Sequence, residues 1–96
     1  MTAARRRLPN RRDSHIVTFV FECHGYRASI SRFPDGRIGE IFLDAERYGS
    51  DVAVHANEAA ILASLCLQSG VPAEMICRAI KGPIGQALLL FEGAGA

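Results

Sequence analysis

From Ile16 onward, apolar residues recur at every second position. Val17, Phe19, Phe21 and Cys23 fall on one face of an extended chain, and Thr18, Val20 and Glu22 on the other. His24-Gly25 interrupts this alternation, and Tyr26, Ala28 and Ile30 resume it. The pattern predicts two antiparallel strands joined by a two-residue turn at His24-Gly25. That register sets Cys23 against Tyr26, Phe21 against Ala28 and Phe19 against Ile30, with Glu22 opposite Arg27 and Thr18 opposite Ser31. Phe33-Pro34-Asp35-Gly36 is a second turn, suited to a two-residue Asp-Gly loop or to a type I turn with a glycine bulge. The two-residue loop is preferred, because it pairs Ile30 with Ile41 and Ala28 with Leu43. A third strand is predicted from Ile38 to about Asp44.

After Gly49 the period changes from two to that of a helix. Ser50 or Asp51 provides an N-cap, with acidic charge at the positive end of the helix dipole. Val54, Ile61 and Leu65 form the predicted core stripe of a long helix, flanked by Ala53, Ala60 and Leu67. Ala56, Ala59, Ala60 and Ala63 allow close approach to the sheet or to another helix. Gly70 ends this helix, and Pro72 opens a shorter one running to about Ile80, whose apolar face is Met75, Ile76, Ala79 and Ile80. Gly82-Pro83 stops it. The apolar segment Ile84 to Phe91 forms either another short helix or an added strand. The fold class is therefore α+β: a three-stranded antiparallel meander packed against two helices, with a short C-terminal apolar helix or strand. Residues 1–14 form a basic, disordered N-terminal arm, residues 15–92 a single domain, and residues 93–96 a frayed tail.

Ninety-six residues, 49% of them hydrophobic, suffice for one modest core. The net charge is only +1 but unevenly distributed. Arg5, Arg6, Arg7, Arg11 and Arg12 crowd the arm, while the remainder is mildly acidic. The three cysteines lack CxxC spacing, which argues against a disulfide framework and for the cytoplasm. No apolar run approaches the ~20 residues of a membrane span, and no secretory signal is expected.

Chemistry-bearing residues are sparse. Asp51, His55 and Glu58 share one helical face that a metal or an acid–base pair could use; the plainer reading is a solvated polar stripe. Zinc needs three or four convergent ligands, and HExxH is absent. Cys23, His24, His55, Cys66 and Cys77 are further metal candidates if they converge in space, although cysteine more often behaves as a small buried hydrophobe. No catalytic set and no cofactor are expected. The arm could track a phosphate backbone, but no aromatic residues interleave with its arginines to stack on bases. The apolar surface of the long helix and last segment exceeds what one small core buries. Such surplus points to a protein partner, the simplest being a homodimer.

The order of Pro-Asp-Gly turn, Gly-x-x-x-Glu-Ile-Phe strand, Gly49-Ser50-Asp51, long helix, Gly70-Val71-Pro72, short helix and Lys81-Gly82-Pro83 resembles the TSCPD domain over about residues 16 to 90. That domain lies at the C-terminal end of adenosylcobalamin-dependent ribonucleotide reductases and also occurs as small stand-alone proteins. The family is named for a Thr-Ser-Cys-Pro-Asp string that the chain lacks. Its Lys81-Gly82-Pro83-Ile84-Gly85-Gln86-Ala87-Leu88 stretch keeps the proline without the cysteine, removing the thiol that a metal or redox role would use. The resemblance implies a non-catalytic accessory module acting through protein contacts, with a ribonucleotide reductase or another nucleotide-metabolism enzyme as partner. The alternative is a nucleic-acid-associated protein that uses the arginine arm.

Overall fold

The computed structural model describes residue 8, residues 14–46 and residues 51–94. Three strands, β1 (Ser14–Phe21), β2 (His24–Arg32) and β3 (Ile38–Ala45), form an antiparallel sheet in the order β1-β2-β3. Three helices follow: α1 (Asp51–Gln68), α2 (Ala73–Ala79) and α3 (Pro83–Ala94). The last segment thus resolves as a helix. The arm arginines Arg5, Arg6, Arg7, Arg11 and Arg12, and the predicted helix entry at Gly49 and Ser50, lie outside the described residues.

The first hairpin turns two residues earlier than its glycine suggests. Glu22 and Cys23 form the turn, both at positive φ (48° and 69°), and Phe21 pairs with His24. Two consecutive residues of that hand match the right-handed twist of the flanking strands. Phe19 therefore meets Tyr26 rather than Ile30, their rings stacked 5.5 Å apart, and Val17 rather than Phe21 meets Ala28. Thr18, not Glu22, sits across from Arg27, whose acidic neighbour is Asp44 on β3. Gly25 lies outside the turn, within β2. A Cβ there would meet only the tip of the exposed Glu46 side chain, which can swing aside, and the Glu46 N–H donates to the Gly25 carbonyl at 3.0 Å. Each partner moves by an even number of residues, so no side chain changes face.

The second hairpin adopts the type I turn with a glycine bulge, not the preferred two-residue loop. Gly36 N–H donates to the Phe33 carbonyl (2.9 Å), Phe33 N–H to the Arg37 carbonyl (2.8 Å), and Gly36 has φ +92°. A register shift between Ser31 and Arg32 then restores the predicted pairs Ile30–Ile41 and Ala28–Leu43. One extra residue on β3, Gly39, compensates for the shorter pairing at the turn.

The core lies between one sheet face (Tyr26, Ala28, Ile30, Ile41, Leu43) and the helices. Helix α1 faces it with Ala56, Ala60, Ala63 and Leu67. The predicted stripe of Val54, Ile61 and Leu65 is on the solvent side, each at least 40% exposed. Close approach decides this outcome, because two polar side chains of α1 reach the β3 backbone. Ser64 Oγ accepts from the Ile41 N–H (2.9 Å) and donates to the Ile41 carbonyl (3.0 Å); Gln68 Nε2 donates to the Gly39 carbonyl (3.0 Å). Only small residues beside them keep the helix that close to the strand. In α2, Ala73 and Ile76 are buried and Cys77 is half-buried, whereas Met75, Ala79 and Ile80 are exposed, contrary to the predicted face. Ile80 is already extended and caps α2 through its N–H to the Ile76 carbonyl (2.8 Å).

Candidate functional site

The residues nominated for chemistry are spread over the surface. Asp51, His55 and Glu58 are exposed along the outer face of α1. Cys23 and His24 are exposed at the β1–β2 hairpin, where they border a depression of about 100 Å³ with Glu46 and Val52. Cys66 is exposed on α1 and Cys77 is half-buried on α2. Burial pushes the Cys77 thiol up, and the neighbouring Glu92 carboxylate adds to the shift. Among the described residues, no three histidine, cysteine, aspartate or glutamate side chains gather to hold a metal ion.

The glycine- and proline-marked segments are joints. The α1 C-terminus closes through the Gly70 N–H to the Leu67 carbonyl (3.2 Å) and the Val71 N–H to the Cys66 carbonyl (3.0 Å), with Gly70 at φ +99°. Pro72 then precedes α2, and its carbonyl accepts the Met75 N–H at 3.0 Å. Lys81 Nζ lies 3.4 Å from the Cys77 carbonyl, and the Gly82 carbonyl accepts the Gln86 N–H at 3.1 Å as Pro83 begins α3. Next to the Val71-Pro72 joint is an open depression of about 400 Å³ bordered by Arg32, Arg37, Asp35, Glu74 and Glu92. Its charges are mixed. Arg32 is engaged in structure, donating to the carbonyls of Gly36 (2.8 Å) and Phe91 (3.3 Å), so it ties the β2–β3 turn to α3. Arg78 pairs with Glu74 one helical turn away on exposed surface.

The most continuous feature is apolar. Val54, Ile61, Leu62 and Leu65 on α1 are 50%, 52%, 64% and 40% exposed. Spacings of seven and four put Val54, Ile61 and Leu65 on one face, with Leu62 flanking them; Glu58 lies between Val54 and Ile61 on the same face, and Asp51, His55 and Cys66 border it. The acid–base face and the apolar stripe are therefore the same surface. Leu62 belongs to it and was not singled out by the sequence. The signal for the orientation was available in Ala56, Ala60, Ala63 and Leu67, at i, i+4, i+7 and i+11. The outer face of the sheet is also uncovered among the described residues, with Ile16, Val20 and Phe42 exposed around Thr18, Arg27 and Asp44.

The family model described as TSCPD domain matches residues 3–88. The chain is 41% identical over 70 residues to a vitamin B12-dependent ribonucleotide reductase of Agrobacterium fabrum, covering 73% of this chain and 6% of that protein. It is 37% identical over 68 residues to the enzyme of the same name from Bradyrhizobium diazoefficiens (71% and 5%). The corresponding figures for that of Rhodopirellula baltica are 33% over 72 residues (75% and 7%). The matched segment is thus a small fraction of each relative. No solved structure matches.

Proposed function

Because the chain belongs to the TSCPD domain family, we propose that it is a non-catalytic accessory module that docks onto a vitamin B12-dependent ribonucleotide reductase through the outer face of α1. The observation that carries this reading is the stripe of Val54, Ile61, Leu62 and Leu65, left in solvent on a helix whose opposite face already fills the core. Covering the exposed part of each side chain is worth roughly 1 kcal/mol, enough together to support a specific contact. In the relatives, the matching segment is part of a chain more than ten times its length. Glu58 within the stripe and Asp51 at its N-terminal end favour a partner surface that carries basic groups.

Binding to the purified reductase of the native cell tests the proposal. The unaltered chain should bind, and the double variant Ile61→Lys, Leu62→Glu should bind at least about tenfold more weakly while keeping its circular dichroism. Failure of the unaltered chain to bind, or equal binding by the variant, overturns it.

A further inference from the structure

The two edges of the sheet are treated differently. Along β3, Ser64 occupies both the N–H and the C=O of Ile41, and Gln68 occupies the carbonyl of Gly39. These groups therefore face away from β2, and α1 covers that edge at Gly39 and Ile41. The alternation of an antiparallel ladder then sets the rest. Glu40, Phe42 and Asp44 bond to Ser31, Ser29 and Arg27, which leaves Tyr26, Ala28 and Ile30 to bond with Phe19, Val17 and His15. The backbone groups of Ser14, Ile16, Thr18 and Val20 consequently point outward from β1, and no strand among the described residues pairs with them.

That open edge lacks the usual protection. Over eight residues, SHIVTFVF, β1 carries no proline, lysine, arginine or acid, the devices by which solitary edges avoid pairing. Ile16 and Val20 are 66% and 73% exposed on the outer face. Val17, Phe19 and Phe21 on the core face are only half-buried, so the core itself is incomplete at this edge.

We propose that β1 is the interface for a second copy of this chain, paired antiparallel about a two-fold axis at Thr18 to give a continuous six-stranded sheet. The strand is self-complementary in this register. Thr18 meets Thr18 of the second copy, Ile16 meets its Val20, and Val17 meets its Phe19. The outward groups at 16, 18 and 20 then bond to one another, and both faces stay in phase. A shift by one residue would pair core-facing with outward-facing positions and lose the ladder. A shift to an axis at Val17 would set Ile16 against Thr18 and His15 against Phe19. No like charges oppose each other: the strand is neutral apart from His15, and the two Arg27 side chains sit three strand spacings apart, about 14 Å, beyond a Debye length at physiological salt. Seven paired residues, each covering roughly 70 Å², bury about 1,000 Å² over both copies, which reaches the size of a small specific interface.

This contact is separate from the α1 surface proposed for the reductase, and the test keeps the two apart. Mass by light scattering over rising concentration is combined with amide hydrogen exchange on the full chain. The expected result is a dimer in which the Ile16, Thr18 and Val20 amides exchange at least about 100-fold more slowly than in Val20→Lys. That variant, altered only at an exposed side chain, should be monomeric at the same concentrations, whereas Ile61→Lys, Leu62→Glu should remain a dimer. A chain that is monomeric throughout, or a dimer whose Ile16, Thr18 and Val20 amides exchange as fast as in Val20→Lys, overturns the proposal. A dimer of the second kind that the α1 variant dissolves would place the interface on α1 instead.

Discussion

Gly85 lies where α3 begins to pack on the end of α2. A Cβ at this position would fall 1.8 Å from the Ile80 carbonyl oxygen, and backbone cannot yield as a flexible side chain can. Gly85→Ala is expected to cost on the order of 3 kcal/mol through forced separation of the helices, read as a lower urea midpoint. Gln68→Leu removes the donor to the Gly39 carbonyl while keeping most of the side-chain volume. The orphaned carbonyl should cost about 1–3 kcal/mol. The three thiols differ in a way that alkylation can read. Burial and the Glu92 carboxylate raise the Cys77 pKa, so at mildly alkaline pH less of it is thiolate, and access is restricted as well. Cys77 should therefore react several-fold more slowly with iodoacetamide than the exposed Cys23 and Cys66.

At the scale of elements, the β1–β2 hairpin carries a local conflict, with Glu22 and Cys23 in a conformation that suits Asn-Gly. Glu22→Asn combined with Cys23→Gly should raise stability by about 1 kcal/mol, measured as a higher urea midpoint. This conflict also explains why the turn was misplaced from sequence. Gly25 is the obvious turn residue by composition, but it lies within β2, where its carbonyl accepts the Glu46 N–H from the end of β3, a long-range contact with no local trace. The strands, their faces and the order of the elements were legible, because period two survives an even slip in register. Helix α1 was legible as a helix but not in its orientation. Its large residues suggested a core stripe, and only the spacing of its alanines, with Ser64 and Gln68 between them, shows which side meets β3. Ile61→Gln should accordingly change stability by less than about 0.5 kcal/mol, whereas Ala60→Leu on the buried side should cost about 1–3 kcal/mol. The candidate site shared this fate: Asp51, His55 and Glu58 were placed on one face, but that face is also the apolar one, so the contact role proposed for it had no signal in its polar residues.

For the whole molecule, the described surfaces divide into an α1 face, a β1 edge and an outer sheet face, with the arginine arm entering ahead of β1. Leu8, the one described residue of that arm, is partly buried, and its Cδ2 lies 2.9 Å from where a Gly39 Cβ would stand. Deleting the arm would remove this packing along with the charge, so substitution tests the nucleic-acid alternative more cleanly. If the arm binds nucleic acid, changing Arg5, Arg6, Arg7, Arg11 and Arg12 to Gln should abolish binding and flatten its salt dependence by a slope of about 4; affinity that is absent or insensitive to salt in the unaltered chain dismisses that role. The cover over β3 at Gly39 and Ile41 has a consequence in the language of polymer chemistry. A sheet with one reactive end is a monofunctional monomer: joining two such units consumes both ends, and growth terminates at the pair. Ser64→Val with Gln68→Val would strip the hydrogen bonds but leave α1 packed along β3, so the second end stays capped by the helix and the variant should lose stability without gaining a second joining site.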